Sequence, residues 1–340
     1  MHTLSHQEFL KSKKKKMVSA CINHLLTQPM WLILVSSLGF LSFLKTSTSL
    51  LKWVYATFLR PKKNLKDYGS WALITGATDG IGKAFAHQLA QKDLNLILVG
   101  RNPTKLETVS SEIQAEHPGT KIKTVVFDFS SKASAGVRSI IEKATEGLDV
   151  GVLINNLGIT YPAASFFHEV DEKVWMDIVR VNLVGTSRVT KAVLPGMIKR
   201  KRGAIINIGS GAASAMPSHP LFTIYAATKG YIDQLSRCLY VEYKRCGIHV
   251  QCQVPLYVAT KMTSRVASIQ KSSLFIPSPE AYAKAAIGRV GYEARCAPYW
   301  AHSIQWWLAC LLPERVLDAW RLSVGIHRRG KLTAQVRANL

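Results

Sequence analysis

Tyr225 and Lys229 stand four residues apart in Thr223-Ile-Tyr-Ala-Ala-Thr-Lys229. The stretch reads as the opening of a long helix, where that spacing puts both side chains on one face. A phenol, with a reference pKa of about 10, is a poor proton donor near neutral pH. An ammonium beside it favours the phenolate and moves the phenol toward working pH. Taken alone, such a pair is ordinarily a surface aromatic and a solvated lysine. It gains meaning from the loop Thr75-Gly-Ala-Thr-Asp-Gly-Ile-Gly82 upstream. The loop follows the apolar run Trp71–Ile74, a candidate buried strand, and precedes Lys83–Gln91, a candidate helix. Gly76, Gly80 and Gly82 let the backbone turn sharply and approach a pyrophosphate. A helix N-terminus there offers free N–H groups and a positive dipole end. Thr78, Asp79 and Ile81 complete the candidate cradle.

Strand and helix patterns alternate downstream of this loop, which predicts a Rossmann-like, doubly wound parallel α/β sheet. Leu94–Val99 is the expected second strand, followed by Gly100-Arg101-Asn102 and Lys105. An acidic residue at that strand end would hold the 2′-hydroxyl of NAD, whereas an arginine suits the 2′-phosphate of NADP. Arg101 therefore points to NADPH, although alone it would be a solvated loop charge. Val125–Asp128 ends the third strand and Val152–Gly158 forms the fourth strand with its turn. Val174–Arg200 reads as one long helix carrying Asn182, by itself a structural polar residue. Gly203–Ile208 is the fifth strand, with Ser210 after it, and Gly247–Val254 is the sixth.

Several words of this sequence resemble the short-chain dehydrogenase/reductase family over about residues 69–291. They include Thr78-Asp-Gly-Ile-Gly-Lys83, Asn95-Leu-Ile-Leu-Val-Gly-Arg-Asn-Pro103, Gly203-Ala-Ile-Ile-Asn-Ile-Gly-Ser-Gly211 and Val258-Ala-Thr260. More closely, the chain resembles the membrane-bound very-long-chain 3-oxoacyl-CoA reductases of fatty-acid elongation, the plant type in particular. The resemblance implies that Ser210 orients the substrate, Tyr225 is the acid and Lys229 also binds the nicotinamide ribose. It implies a helix-perturbing, water-holding Asn182 and an adenine-contacting Asp128. Asn155 would brace the sheet beside the cofactor, and Val258 and Thr260 would contact the nicotinamide. Ser210 lies 15 residues before Tyr225, about two more than usual for the superfamily, so Ser214 and Ser218 remain open alternatives. Leu157 replaces the family's small residue in Asn155-Asn-Leu-Gly158, which would crowd the cofactor. The family's Pro-Gly is Pro255-Leu256 here.

The net charge of +23 over 340 residues calls for an anionic partner. Basic residues cluster near the hydrophobic segments at both ends, and no nucleic-acid motif is present, so a membrane surface and coenzyme phosphates are the expected partners. The six cysteines show no metal-ligand spacing and read as reduced thiols; no metal is expected. Residues 1–24 form a basic tail carrying Lys13–Lys16. Residues 25–60 form an uncleaved anchor, with a span from Leu25 or Leu26 to Leu44, Lys45 near the interface and an interfacial helix after it. A cleaved signal peptide is the rival, but no small-residue cleavage site is seen. Lysines on both sides leave orientation open. The reductase domain is 61–296, with an irregular Ser-rich substrate lid at Ser264–Pro279. Residues 297–340 form a hydrophobic tail that either lies at the membrane or packs on the core.

The resemblance implies an NADPH-dependent 3-oxoacyl-CoA reductase in the endoplasmic reticulum membrane, its catalytic domain facing the cytosol. It would take long-chain acyl-CoA and work beside the other elongation enzymes. The alternatives are a hydroxysteroid dehydrogenase, or a weakly active paralogue serving as a partner in the elongation complex.

Overall fold

The computed structural model describes residues 9–17, 19–20, 29–131 and 136–338, with side chains as far as residue 330. The expected start of the span at Leu25 or Leu26, and Cys21, lie outside the described residues. The chain divides into two compact units, Met1–Pro61 and Lys62–Leu340.

In the first unit the helix Met30–Val54 runs directly into a wide π-turn, Tyr55–Leu59. Its most apolar 18-residue window has a mean hydropathy of 1.4 and no buried residue. A span ending at Leu44 and a separate interfacial helix were expected; one continuous helix passes through Lys45 instead. Thr46 and Thr48 return their hydroxyl protons to the carbonyls of Ser42 and Leu44, at 2.9 and 2.8 Å, so neither breaks the helix. At about 1.5 Å per residue it is long enough to cross the ~30 Å hydrocarbon core, and it is a candidate membrane anchor.

The second unit is built on a seven-stranded parallel sheet in the order β3-β2-β1-β4-β5-β6-β7. The strands are β1 Trp71–Thr75, β2 Asn95–Gly100, β3 Ile122–Val126, β4 Val150–Asn155, β5 Gly203–Ile208, β6 Ile248–Gln253 and β7 Arg295–Cys296. Every residue of β4 and β5 is buried, as a strand covered on both faces requires. One face packs on the helices Gly80–Ala90, Pro103–Glu116 and Pro279–Ile287. The other packs on Val137–Thr145, Thr186–Arg200 and Thr223–Tyr243. The first six strands lie within a few residues of their expected positions. The two-residue β7, which pairs with Cys252 and Gln253, was not foreseen.

The expected long helix Val174–Arg200 is interrupted. It runs as Glu172–Val179, a π-helical turn Arg180–Gly185, and Thr186–Arg200. The lid segment is less irregular than its composition suggested, since Lys261–Ala267 is helical and a Ser273–Ile276 bridge follows.

The tail forms the helices Trp300–Cys310 and Glu314–Ala338, broken before Pro313 by loss of the helical pattern. Of the two expectations for the tail, packing on the core describes one face of these helices; the other face is exposed and apolar. Inward, Ala301 and His302 are fully buried, Leu317 is buried, and Trp306 packs on Ile232, Cys252 and Val254. Outward, Trp307, Leu311, Val316 and Trp320 are each more than half exposed. Five cysteines in the described residues are free thiols.

Candidate active site

β1 delivers the chain to Gly76, whose φ of +67° is readily adopted only by glycine. The amides of Gly76 and Ala77 donate to Val99 O at 2.9 and 3.3 Å, turning the loop over the end of β2. A Cβ on Gly82 would stand 2.2 Å from Gly76 O, so the loop closes only around glycine. Asp79 caps the helix that follows, accepting from Gly80 N at 2.8 Å, and pairs with Lys261 at 2.7 Å. Asn156 braces the loop from below, donating to the carbonyls of Thr75 and Gly76, both at 3.2 Å.

A cavity of about 530 Å³ opens along the carboxyl ends of the strands. The loop residues Gly76, Thr78, Asp79, Gly80 and Ile81 line it, as do Arg101, Lys105 and Asp128 beyond β2 and β3. Ser210, Tyr225 and Lys229 line it from the β5 side, with Val258 and Thr260 after β6. The amide and hydroxyl of Ser130 hold the Asp128 carboxyl below its usual range, with Arg101 adding to the effect.

Gly82, Asn155 and Asn182 do not line the cavity. Gly82 acts through the shape of the loop. Asn155 braces the sheet, as the resemblance implied, but it does not reach the cavity and so is not a cofactor-binding residue. It is buried, and its amide donates to Thr190 Oγ1 at 2.9 Å and Asn207 Oδ1 at 2.8 Å, which ties β4 to β5 and a helix. Asn156, next to it, takes the cavity position. Asn182 lies in the π-turn, accepting from Ile159 N at 2.8 Å and donating to Ile159 O at 2.9 Å and Thr228 Oγ1 at 3.0 Å.

The catalytic pair departs from expectation in one respect. Lys229 Nζ is buried, donates to Ile208 O at 2.7 Å, and lies 6.0 Å from the centre of the Tyr225 ring. Burial lowers the lysine to about 8. Burial also raises the Tyr225 phenol above its ordinary value, an effect that the nearby Ser210 hydroxyl opposes. One ammonium proton goes to Ile208 O, and the ammonium faces the Tyr225 ring rather than hydrogen-bonding its hydroxyl. Among the serine candidates only Ser210 faces the cavity: Ser218 is hydrogen-bonded to Asp318, and the buried Ser214 hydroxyl has no partner.

Two bulky departures from the family pattern are met by glycines elsewhere. A Cβ on Gly185 would lie 3.2 Å from Leu157 Cδ2, and one on Gly211 would lie 2.1 Å from Leu256 Cδ2. The Leu157 side chain thus packs toward the π-turn, and Leu256 reaches over Gly211. Sequence reasoning missed these pairings and the lining role of Asn156, although Asn156 stands inside the word that placed Asn155.

The parallel sheet, glycine loop and Ser210–Tyr225–Lys229 cluster define a dinucleotide-dependent oxidoreductase site. The short chain dehydrogenase family model matches residues 70–271, and the chain belongs to this family. A very-long-chain 3-oxoacyl-CoA reductase-like protein of Arabidopsis thaliana is 57% identical over 92% of this chain and 99% of its own length. A human protein named inactive hydroxysteroid dehydrogenase-like protein 1 is 42% identical over 74% of each chain. The very-long-chain 3-oxoacyl-CoA reductase of Anas platyrhynchos is 40% identical over 72% of this chain and 76% of its own. Among solved structures, a short-chain dehydrogenase from Sphingobium yanoikuyae in complex with NADPH superposes with a TM-score of 0.56. It is 27% identical and covers 64% of this chain and 82% of its own.

NADPH fits the residues present. The Gly76–Gly82 turn admits close backbone approach, the helix Gly80–Ala90 presents its N-terminus, and Arg101 adds a cation to the cavity lining at the end of β2, the kind of group that suits a 2′-phosphate.

Proposed function

We propose that this chain reduces very-long-chain 3-oxoacyl-CoA to 3-hydroxyacyl-CoA with NADPH, in the elongation of fatty acids. The observation that carries the reading is the convergence of Ser210, Tyr225 and Lys229 in one cavity with the glycine loop and Arg101. The names of the Arabidopsis and Anas relatives supply the substrate class. Bound NADPH supplies the hydride for the 3-keto carbon. Tyr225 holds the proton that the developing alkoxide takes up, and Ser210 donates a hydrogen bond to the same oxygen, stabilising its charge. Lys229 is placed by Ile208 O to meet the ribose. Asn182 keeps the Ile159 turn and the catalytic helix in register.

The reading extends to location. The apolar helix Met30–Leu59 anchors the protein in the endoplasmic reticulum membrane, with the catalytic unit in the cytosol beside the other elongation enzymes. The exposed apolar face of the tail helices suits contact with the bilayer surface.

NADPH oxidation by the detergent-solubilised chain with a long-chain 3-oxoacyl-CoA tests the proposal, run beside Tyr225→Phe. Turnover that disappears in the variant while NADPH still binds supports it. Turnover only with hydroxysteroid or ketosteroid substrates would move the assignment to that class. NADPH binding without any turnover would favour the partner role, the reading that the inactive human relative keeps in view.

A further inference from the structure

The C-terminal helix Glu314–Ala338 turns polar and small residues toward the protein. Asp318, Arg321, Gly325, Arg328 and Arg329 are spaced to share one face. Arg321 and Gly325 on this face are buried, whereas Val316, Trp320 and Ile326 are about half exposed. Polar side chains taken out of water need partners, and the partners here lie on three loops of the site. Asp318 accepts from the Ser218 hydroxyl, and Arg321 Nη2 lies 2.8 Å from Nδ1 of His219. Gly325 seats against Leu221: a Cβ there would stand 3.1 Å from Leu221 Cδ1. Arg328 Nη1 donates to the Tyr257 hydroxyl at 2.9 Å. Arg329 donates to both carboxylate oxygens of Glu169, at 2.5 and 2.7 Å.

Glu169 follows β4, Ser218–Leu221 follows β5 and Tyr257 follows β6. The glycine loop, Arg101 and Asp128 follow β1, β2 and β3. The helix therefore ties together the loops of the half that carries the reacting groups. Two of its ties lead straight to the cavity. Tyr257 stands between Leu256 and Val258, which both line it. His302 holds the same backbone, taking Leu256 N on Nδ1 at 3.3 Å and meeting Tyr257 O with Nε2 at 3.1 Å. Leu221 has a φ of +63°, a left-handed conformation that a leucine keeps only where its surroundings hold it. Ser165 N donates to the Leu221 carbonyl at 3.1 Å, and Tyr225 packs against the apolar cluster that contains Leu221. The next residue, Phe222, is the N-cap of the helix that carries Tyr225.

We infer that the C-terminal helix is a strap for the reacting half of the site, in which Arg328, through Tyr257, and Gly325, through Leu221, are positioning residues for the reduction. The inference rests on the proposed reduction at Tyr225.

The test is steady-state kinetics of the full chain in detergent, with NADPH and a long-chain 3-oxoacyl-CoA, beside melting temperatures and a fluorescence titration of NADPH. Arg328→Leu and Tyr257→Phe remove one hydrogen bond from its two ends. Each should lower kcat/KM about 10-fold, mostly through kcat, and the double variant should lose about 10-fold rather than about 100-fold. NADPH affinity should stay within about 2-fold of wild type in all of them. Gly325→Ala removes no contact and favours the helix, but it presses on the Leu221 corner. It should lower kcat/KM about 3-fold with no fall in melting temperature, an outcome that a merely structural role does not give. The exposed neighbour His327→Gln should match wild type. Should Arg328→Leu fail to fold, Gly325→Ala and Tyr257→Phe decide. Lower melting temperatures with kcat/KM within about 2-fold of wild type, or losses that multiply in the double variant, would overturn the inference. Turnover surviving in Tyr225→Phe would instead remove the reading beneath it.

Discussion

Asn182 grips the backbone of Ile159 through both ends of its side-chain amide, accepting from the N–H at 2.8 Å and donating to the carbonyl at 2.9 Å. Its remaining proton goes to Thr228 Oγ1, which in turn donates to Tyr225 O at 2.8 Å. One buried side chain thus joins the turn after β4 to the helix that carries Tyr225. The π-turn Arg180–Gly185 is what places it there. Asn182→Ala takes their side-chain partner from the N–H and carbonyl of Ile159 and removes one donor to Thr228 Oγ1, whose bond to Tyr225 O remains. It should cost about 1–3 kcal/mol of stability and a larger share of turnover than of NADPH affinity. Thermal unfolding and steady-state kinetics measure both; turnover equal to wild type would remove Asn182 from the site.

Gly82→Ala forces a methyl group to within 2.2 Å of Gly76 O and 2.4 Å of Asn156 Nδ2. Neither neighbour can retreat without breaking the turn, because Asn156 itself holds Gly76 O. The variant should fold but lose NADPH affinity by at least about 10-fold, the effect of a misplaced phosphate-binding backbone. A fluorescence titration settles it, and unchanged affinity would mean that the loop does not serve the phosphates.

Arg101 is exposed and lines the cavity at the end of β2, with Asn102 capping the next helix through Lys105 N at 2.9 Å. If it meets a 2′-phosphate, Arg101→Leu should reduce kcat/KM with NADPH and spare it with NADH. A lost charge-assisted hydrogen bond of about 1.5–3 kcal/mol corresponds to roughly 10-fold or more in that ratio. An unchanged ratio would assign coenzyme selection to Lys105 or to the backbone.

The parts of the site legible in the sequence were those that one element builds alone. The loop Gly76–Gly82 carries its own turn chemistry, and Tyr225 and Lys229 share one helix, so spacing sufficed. The superfamily serine spacing left Ser210 open, because the short helix Gly211–Ser214 that absorbs the extra residues has no strong pattern of its own. Lys229 beside Tyr225 was inferred from their shared face, but the Ile208 carbonyl that orients the ammonium comes from β5, which helix spacing cannot show. The matches of Leu157 with Gly185 and Leu256 with Gly211 join segments with no common periodicity. Arg328 with Tyr257 and Arg321 with His219 are of the same kind: the tail pattern showed an apolar helix, but not what its basic residues would touch.

Acid should loosen the tail through two histidines. His302 is fully buried, accepts from Leu256 N at 3.3 Å through Nδ1, and faces Tyr257 O at 3.1 Å through Nε2, so it fits as the neutral ring. Burial lowers it to about 4. His219 takes a hydrogen bond from Arg321, and burial with the charges of Arg321 and Arg328 lowers it to about 3. In both cases the folded value lies below the ordinary 6.5, so the unfolded chain binds the extra protons. The stabilisation is complete above pH 6.5 and is lost as pH falls toward 4, by up to about 1.4 kcal/mol per unit for each histidine. Between pH 6.5 and 4.5 most carboxylates remain ionised, so the histidines dominate the slope there. His302→Gln and His219→Gln should each be less stable at pH 7 but lose less further stability on acidification. Thermal unfolding at half-unit intervals reads this directly, and slopes parallel to wild type would show that neither ring carries the acid sensitivity.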